Sequence, residues 1–181
     1  LKYGTDKPDL RNPLIINDLT EIFKRDDVSF EIFKKLVKKG SIVRGIVTKK
    51  TKDKPRSFFD SIDKWAKEEG ASGLAYFTIE KDPDIKGKGP VGKFFSSDAI
   101  SEIIKISGAE IGDSIFLACG KTKEVEKILS KARDKIGDEL NYPFFYNSVI
   151  SDRIAKDLDI DKSEPYIKIQ TVISNNSFII N

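Results

Sequence analysis

The sequence predicts an α+β domain, in which short β-strands and amphipathic helices follow one another in mixed order. Two patterns predict it: several short segments are rich in β-branched and aromatic residues, and others repeat apolar residues at spacings of three or four. The composition agrees, because 39% hydrophobic and 34% charged residues in a chain of 181 supply both a core and a solvated surface. We expect this domain to occupy residues 14–140.

The first half of the domain is predicted to alternate between helices and strands. The segment from Val28 is ambiguous, since its first apolar residues alternate as in a strand and its later ones fit a helix face. Phe58, Ile62 and Trp65 recur at helical spacing, and Gly70 is expected to end their helix. In chain order we predict a short helix capped by Asp18 and ending at Phe23, a strand from Val28 passing into a helical turn that ends at Gly40, a strand over 41–48 and a helix over 57–69.

The second half of the domain begins with its clearest strand, over 74–79. Residues 81–92 contain several glycines and prolines and are predicted to form a loop. The remaining elements follow from apolar spacing and from polar residues suited to capping. They are a short strand over 91–95, a helix capped by Ser97 or Asp98 and running through Ile106, a strand over 113–119, and a helix capped by Thr122 and extending to about Leu140.

Both ends of the chain differ from this domain. Residues 1–13 are predicted to form an extended connector, because Pro8 and Pro13 disfavour helix before and at their own positions. Residues 141–181 form a C-terminal tail of unassigned fold, with a helix expected over 149–158 and a strand over 165–172.

The composition excludes several classes of function. The chain has no His and one Cys, which excludes Ser-His-Asp and Cys-His nucleophiles and zinc sites built from Cys and His. A single Cys allows no internal disulfide and favours a cytoplasmic location. No apolar run is long enough to span a bilayer, and the first residues do not resemble a signal peptide. The chain also has no Met, so we expect a processed, trimmed or internal piece of a longer protein.

Two motifs suggest chemistry but have simpler structural explanations. Gly87–Lys93 has the glycine spacing of a P-loop, but Phe94 stands where that motif places a Mg²⁺-binding hydroxyl, so a turn between strands is favoured. Cys119 follows an apolar run and is expected to pack as a small hydrophobic residue.

The strongest functional signal is a basic stretch between Lys34 and Arg56. It holds ten Lys or Arg residues and one Asp. Such a density of positive charge predicts salt-sensitive, sequence-independent contact with RNA phosphates, and the alternative is an ordinary solvated surface. The candidate RNA-contact residues are Lys34, Lys35, Lys38, Lys39, Arg44, Lys49, Lys50, Lys52, Lys54 and Arg56.

Residues 1–140 resemble part of a known family. Residues 3–13, YGTDKPDLRNP, are similar to the YGSDKPDLR segment of bacterial aspartyl-tRNA synthetases, which leads into an inserted GAD domain. The GAD domain also occurs in the B- and E-type subunits of tRNA-dependent amidotransferases. The segments that carry the resemblance are FEIF at 30–33, GASGLAY at 70–76, GPVGKFF at 89–95, GDSIF at 112–116 and ACGK at 118–121. Residues 141–181 match no family that we identify.

The resemblance implies a two-layer fold, an antiparallel sheet with helices on one face. It also implies that the parent enzymes ligate aspartate to tRNA with ATP and Mg²⁺. Class II motifs 2 and 3 would lie outside this chain, so the resemblance assigns no catalytic residue, metal ligand or cofactor to it, and we expect it to be inactive by itself.

Two functional hypotheses follow. The first is that the chain supports tRNA or inter-domain contacts in such a ligase, with tRNA, the rest of a synthetase or another protein as partner and no membrane involved. The alternative is a protein-interaction or structural module that uses the apolar tail and does not bind RNA.

Overall fold

The structure is a computed structural model that describes residues 2–10, 12–140, 169–171 and 178–180. The chain divides into two compact units, Leu1–Phe145 and Tyr146–Asn181. Each unit is described by itself.

Within residues 2–10 and 12–140, the first unit has five strands and four α-helices. Two short 3₁₀ helices, Thr20–Lys24 and Gly92–Phe94, complete it. The strands are β1 (Ile16–Asp18), β2 (Ile42–Thr48), β3 (Ala75–Lys81), β4 (Ile85–Lys88) and β5 (Ser114–Gly120), and the helices are α1 (Glu31–Lys38), α2 (Arg56–Glu68), α3 (Ser97–Ser107) and α4 (Thr122–Glu139).

The five strands form one sheet in the order β1-β2-β5-β3-β4, and every neighbouring pair is antiparallel. β2 and β5 pair along their whole length, from Ile42 opposite Gly120 to Thr48 opposite Ser114. An antiparallel sheet with helices confirms the predicted α+β class.

The helices cover both faces of this sheet, not the single face that the resemblance implied. Alternate residues of β5 belong to two separate cores: Ile115 packs in one with α1 and α3, whereas Phe116 packs in the other with α2 and α4. The physical reason is visible in the sequence of β5, because a continuous apolar run is typical of a strand that is buried on both faces. The domain is therefore a three-layer sandwich.

The boundaries of α2, α3 and α4 lie within a residue or two of the predictions. Ser96, not Ser97 or Asp98, caps α3, and its hydroxyl accepts a hydrogen bond from the Ala99 amide at 2.9 Å. α2 spans Arg56–Glu68 and ends just before Gly70, whose φ of +85° places it in the left-handed region that favours glycine.

Three predicted segments are different in the structure. The predicted loop over 81–92 contains β4, which pairs with β3 as a hairpin. A Cβ added at Gly87 would lie 2.9 Å from the Gly92 Cα, so the two glycines allow the 3₁₀ helix Gly92–Phe94 to approach β4 closely. The P-loop interpretation is wrong, since Gly87 lies within a strand and not between a strand and a helix.

The strand predicted from Val28 is the second difference. Val28 forms only an isolated bridge with Phe95, and the helical spacing of the following apolar residues prevails from Glu31 onward. The short strand predicted over 91–95 is likewise replaced by a 3₁₀ turn and this bridge.

In the second unit the structure describes two strands, β6 (Ile169–Thr171) and β7 (Phe178–Ile180), which pair antiparallel. β6 falls within the strand predicted over 165–172, whereas the helix predicted over 149–158 lies outside the described residues. The predicted boundaries at 13 and 140 stay predictions.

No helix in the described part of the chain is long and apolar enough to cross a membrane. Residues 2–10, 12–140, 169–171 and 178–180 also contain no group of three or more His, Cys, Asp or Glu side chains placed to hold a metal ion.

Candidate nucleic-acid interface

The basic stretch is divided into two groups by β2. Lys35, Lys38 and Lys39 lie at the end of α1, before β2 begins, and the lysines from Lys49 onward lie on the loop that follows it. A strand of this length separates the two groups by roughly 20 Å. The ten predicted residues therefore do not form one continuous patch.

Lys34 and Arg44 make hydrogen bonds or ion pairs within the domain. The Lys34 ammonium donates hydrogen bonds to the Arg25 carbonyl at 2.7 Å and to the Val28 carbonyl at 2.9 Å. Arg44 has a side chain only 15% exposed and pairs with Glu126 at 2.8 Å. Both side chains stabilise the fold, and their geometry gives no support to a role in RNA contact.

The loop after β2 is fixed to the start of β5 by backbone hydrogen bonds. The Lys50 amide donates to a carboxylate oxygen of Asp113 at 2.9 Å, and the Lys52 amide donates to the Gly112 carbonyl at 3.0 Å. Asp113 is 1% exposed, so its carboxylate forms a buried anchor beneath the loop. Lys50 adopts a left-handed φ of 53°, which turns the chain at this anchor.

A buried group of hydroxyls also fixes this loop. The Thr51 hydroxyl lies 2.8 Å from the Ser114 hydroxyl and 3.0 Å from the Thr48 carbonyl. The Thr48 hydroxyl in turn lies 3.1 Å from the Ser114 carbonyl. Because buried hydroxyls need such partners, these contacts hold the loop in one conformation.

Lys49 is exposed, but its ammonium group is paired with the acidic residues of the anchor. Its ammonium pairs with Asp113 at 3.0 Å and with Glu110 at 3.4 Å, and it donates to the Gly108 carbonyl at 2.8 Å. Burial by itself would lower the pKa of Lys49, but hydrogen bonding and attraction from Asp113 and Glu110 outweigh it and raise that pKa.

The other side chains of the loop point toward solvent. Lys50, Lys52, Lys54 and Arg56 are all exposed. The Arg56 guanidinium contacts Asp60 at 3.2 Å, a surface pair of little energetic weight. Within the described residues no carboxylate lies within ion-pair distance of Lys50, Lys52 or Lys54, so an ordered loop presents three unneutralised ammonium groups. Such an arrangement suits phosphate contact.

Lys35, Lys38 and Lys39 are exposed as well, on α1 and at its end. They also have no carboxylate partner among the described residues. These three lysines and those of the loop stay predictions as RNA contacts.

The residues that attach the connector to the domain were not among the predicted functional residues. Arg133 of α4 is 1% exposed, and its guanidinium donates to the Leu14 carbonyl at 2.7 Å and to the Asn12 carbonyl at 3.0 Å. The guanidinium carbon also lies 4.8 Å from the centre of the Tyr3 ring. Burial lowers the pKa of Arg133.

Asn12 completes this attachment from the connector side. Its amide group donates to the Arg133 carbonyl at 2.7 Å, and its side-chain oxygen accepts from the Leu14 amide at 2.9 Å. Gly137 makes room, because a Cβ there would lie 2.8 Å from the Asn12 amide nitrogen. A signal existed in the sequence, since Arg133 follows Leu129 by four residues and precedes Ile136 by three, which places it on the apolar stripe of α4.

Comparison with known proteins shows which family the chain resembles. The family model described as the GAD domain matches residues 33–129. The chain is 66% identical over 168 residues to the aspartate–tRNA(Asp/Asn) ligase of Pelagibacter ubique, a match that covers 85% of the chain and 28% of the ligase. It is 48% identical over 141 residues to the enzyme of the same name from Beijerinckia indica, covering 77% and 24%.

The Pelagibacter match covers more of the chain than residues 1–140 make up, so the similarity extends into residues 141–181, for which the sequence analysis identified no relative. The chain spans about a quarter of the length of these ligases, 28% and 24%. The segment matched by the family model contains β2 to β5, α2, α3 and the loop after β2, together with parts of α1 and α4. By this match the chain belongs to the GAD domain family.

Proposed function

We propose that this chain is the inserted region of an aspartate–tRNA ligase and that it supports aminoacylation without carrying the chemistry. The observation behind the proposal is its similarity, over most of its length, to enzymes named as ligases for tRNA(Asp/Asn). ATP, Mg²⁺ and aspartate would act on the remainder of such an enzyme. A cytoplasmic location is part of this proposal.

The connector is proposed to hold the domain at a fixed angle to the protein that precedes it. Asn12 and Arg133 attach the connector to α4 by hydrogen bonds in both directions. A buried guanidinium bound to main-chain carbonyls has little rotational freedom. The domain would therefore move with the connector and would not swing freely.

The loop after β2 is proposed as the tRNA-contacting element of the domain. Its support is the combination of a rigid backbone, anchored by Asp113 and Thr51, with the unneutralised ammonium groups of Lys50, Lys52 and Lys54. Lysines act on phosphates as point charges, so the contact would be insensitive to base sequence.

The proposal is tested by titrating the chain with an aspartate-specific tRNA transcript and with an unrelated tRNA, each at low and moderate salt. We expect binding that weakens steeply with salt and is of similar strength for both transcripts, because the lysines would contact phosphates. Absence of binding at low salt would overturn the tRNA-contact role, and a strong preference for one transcript would contradict a contact made through phosphates alone. In the same samples we expect no aspartate-dependent ATP–pyrophosphate exchange.

The alternative, a protein-interaction module that uses the tail, depends largely on residues outside the described part of the chain. It stays a prediction. The test compares the mass in solution of the full chain with that of a chain ending at residue 140.

A further inference from the structure

A row of lysines on α4 forms a second basic surface, separate from the stretch between Lys34 and Arg56. Lys123, Lys127 and Lys131 follow one another at intervals of four residues and are all exposed. In an α-helix this interval places successive side chains on one side, about 6 Å apart along the axis. The spacing is comparable to that of neighbouring phosphates along a nucleic-acid strand.

Two depressions of the surface border this row of lysines. One, of about 350 Å³, is bounded by Gly4 and Thr5 of the connector and by Lys123, Lys127 and Ser130 of α4. The other, of about 200 Å³, lies between α4 and the turn over 69–73. Lys127 and Lys131 line both depressions. We call the first depression the connector cleft.

The connector cleft exists because the connector lies flat against α4. Gly4 has a φ of +74°, and a Cβ there would lie 2.6 Å from the Glu126 carbonyl oxygen and 3.1 Å from the Ser130 Cβ. Only glycine fits this close approach. The Lys2 carbonyl also accepts from the Ile16 amide at 2.9 Å, which holds the connector along β1.

The cleft has a surplus of positive charge. Glu126 is paired with Arg44 at 2.8 Å, and the Lys131 ammonium is paired with Glu69. Among residues 2–10 and 12–140, no carboxylate lies within ion-pair distance of Lys123 or Lys127. Two unneutralised ammonium groups therefore share the cleft with the hydroxyl-bearing residues Thr5 and Ser130.

We propose that the connector cleft binds the phosphodiester backbone of RNA, with Lys123 and Lys127 each neutralising one phosphate. The inference rests on the proposed function, in that tRNA is the RNA the domain would meet, and it adds a second contacting surface to the loop after β2. The residues that line the cleft include no aromatic side chain on which a base could stack, so the contact would be independent of sequence.

RNA is favoured over an anionic membrane because of the other residues of α4. A helix that lies on a membrane exposes an apolar face next to its basic one. The apolar residues of α4, such as Val125 and Leu129, are buried against the sheet. The lining of the cleft is polar, which suits a hydrated phosphate backbone.

The test compares the full chain with K123A/K127A and with K64A/K105A, a control that removes two exposed lysines from α2 and α3. For K123A/K127A we expect the slope of log affinity for tRNA against log salt to fall by about 1.4–1.8, at roughly 0.7–0.9 for each lost phosphate contact. The control and the charge-conserving K123R/K127R should keep the wild-type slope.

A K123A/K127A slope equal to the wild-type slope would overturn the assignment of the cleft while leaving the proposed tRNA role intact. Wild-type chain that binds no tRNA at low salt would overturn both. Vesicles containing phosphatidylserine serve as the competing probe. If the chain does not bind tRNA but binds these vesicles through Lys123 and Lys127, the cleft is a membrane site instead. Equal melting temperatures for all variants would show that the fold is preserved.

Discussion

Arg133 is a buried cation whose partners are carbonyl groups of the connector and of Leu14, the residue that follows it. Removing its guanidinium would leave the Leu14 and Asn12 carbonyls without these buried hydrogen-bond donors. A Lys at this position keeps the charge but lacks the planar fork that reaches two carbonyls together.

We therefore expect R133A to lower the free energy of unfolding by about 3 kcal/mol and R133K by about half as much. Urea denaturation followed by circular dichroism measures both. R56A, at a guanidinium that is 82% exposed, is the matched control and should change stability by less than about 0.5 kcal/mol. An R133A variant as stable as R56A would contradict the role assigned to the buried guanidinium.

Asp27 makes part of the stability dependent on pH. Its carboxylate accepts two hydrogen bonds from Arg25, each of 2.8 Å, and one from the Ser96 hydroxyl at 2.5 Å. The hydrogen bonds from Arg25 and then from Ser96 lower its pKa well below the usual 3.8. A carboxyl whose pKa is lower in the folded state stabilises the fold above its unfolded pKa and loses that contribution as the pH falls through the folded value.

D27N should accordingly melt at a lower temperature than wild type at pH 7. The difference should shrink below pH 4, because there the Asp27 carboxyl of the unfolded wild-type chain takes up a proton that the folded chain does not bind until a lower pH. Thermal melts at pH 7, 4 and 2 measure this. The neighbouring D26N provides the comparison, because Asp26 is exposed and no pairing partner for it is found among the described residues. A D27N difference that is constant with pH would show that the carboxylate charge is not what matters.

At the scale of elements, the loop between β2 and α2 owes its order to buried hydroxyls. Thr51 is 2% exposed and contacts Ser114 and the Thr48 carbonyl. T51V keeps the shape of the side chain and removes the hydroxyl, leaving its partners unsatisfied.

We expect T51V to reduce the free energy of unfolding by about 1–3 kcal/mol and to speed amide hydrogen exchange at Lys50, Lys52 and Lys54. Exchange measured by mass spectrometry on the loop peptide tests this, with S57A on the exposed start of α2 as the control. Unchanged exchange in T51V would mean that the backbone bonds to Asp113 and Gly112 suffice to order the loop.

Sequence patterns predicted the elements whose signal is local. The run over 115–119 predicted β5, and the spacing of Phe58, Ile62 and Trp65 predicted α2. β4 was missed because its strand contains Gly87 and lies next to Pro83, which are usually turn signals. The position of helices on both faces follows from long-range packing, which no single segment encodes.

The sequence predicted which basic residues the candidate interface contains, but not which of them are free of partners within the domain. The lysine positions are visible in the sequence, but the partner of Arg44 is Glu126, 82 residues away. The two clusters of exposed lysines also appear only once β2 is placed between them. The cleft beside the lysines of α4 was likewise not predictable from the sequence, because Gly4 and Thr5, which line it, are more than 100 residues away in the chain.

At the scale of the whole molecule, two features of the domain matter. The connector is bound to α4 by hydrogen bonds, and the loop after β2 exposes several lysines. This arrangement suits an insertion that moves with an enzyme's body and meets the tRNA backbone. The central claim is that the loop lysines make that contact.

The most direct test measures the slope of log tRNA affinity against log salt for the wild-type chain, for K50A/K52A/K54A and for the control K64A/K88A/K105A, which removes three exposed lysines elsewhere. The account predicts that the loop variant lowers the slope by about 2, at roughly 0.7 for each lost phosphate contact, and that the control preserves it. A loop variant with the wild-type slope would contradict the account.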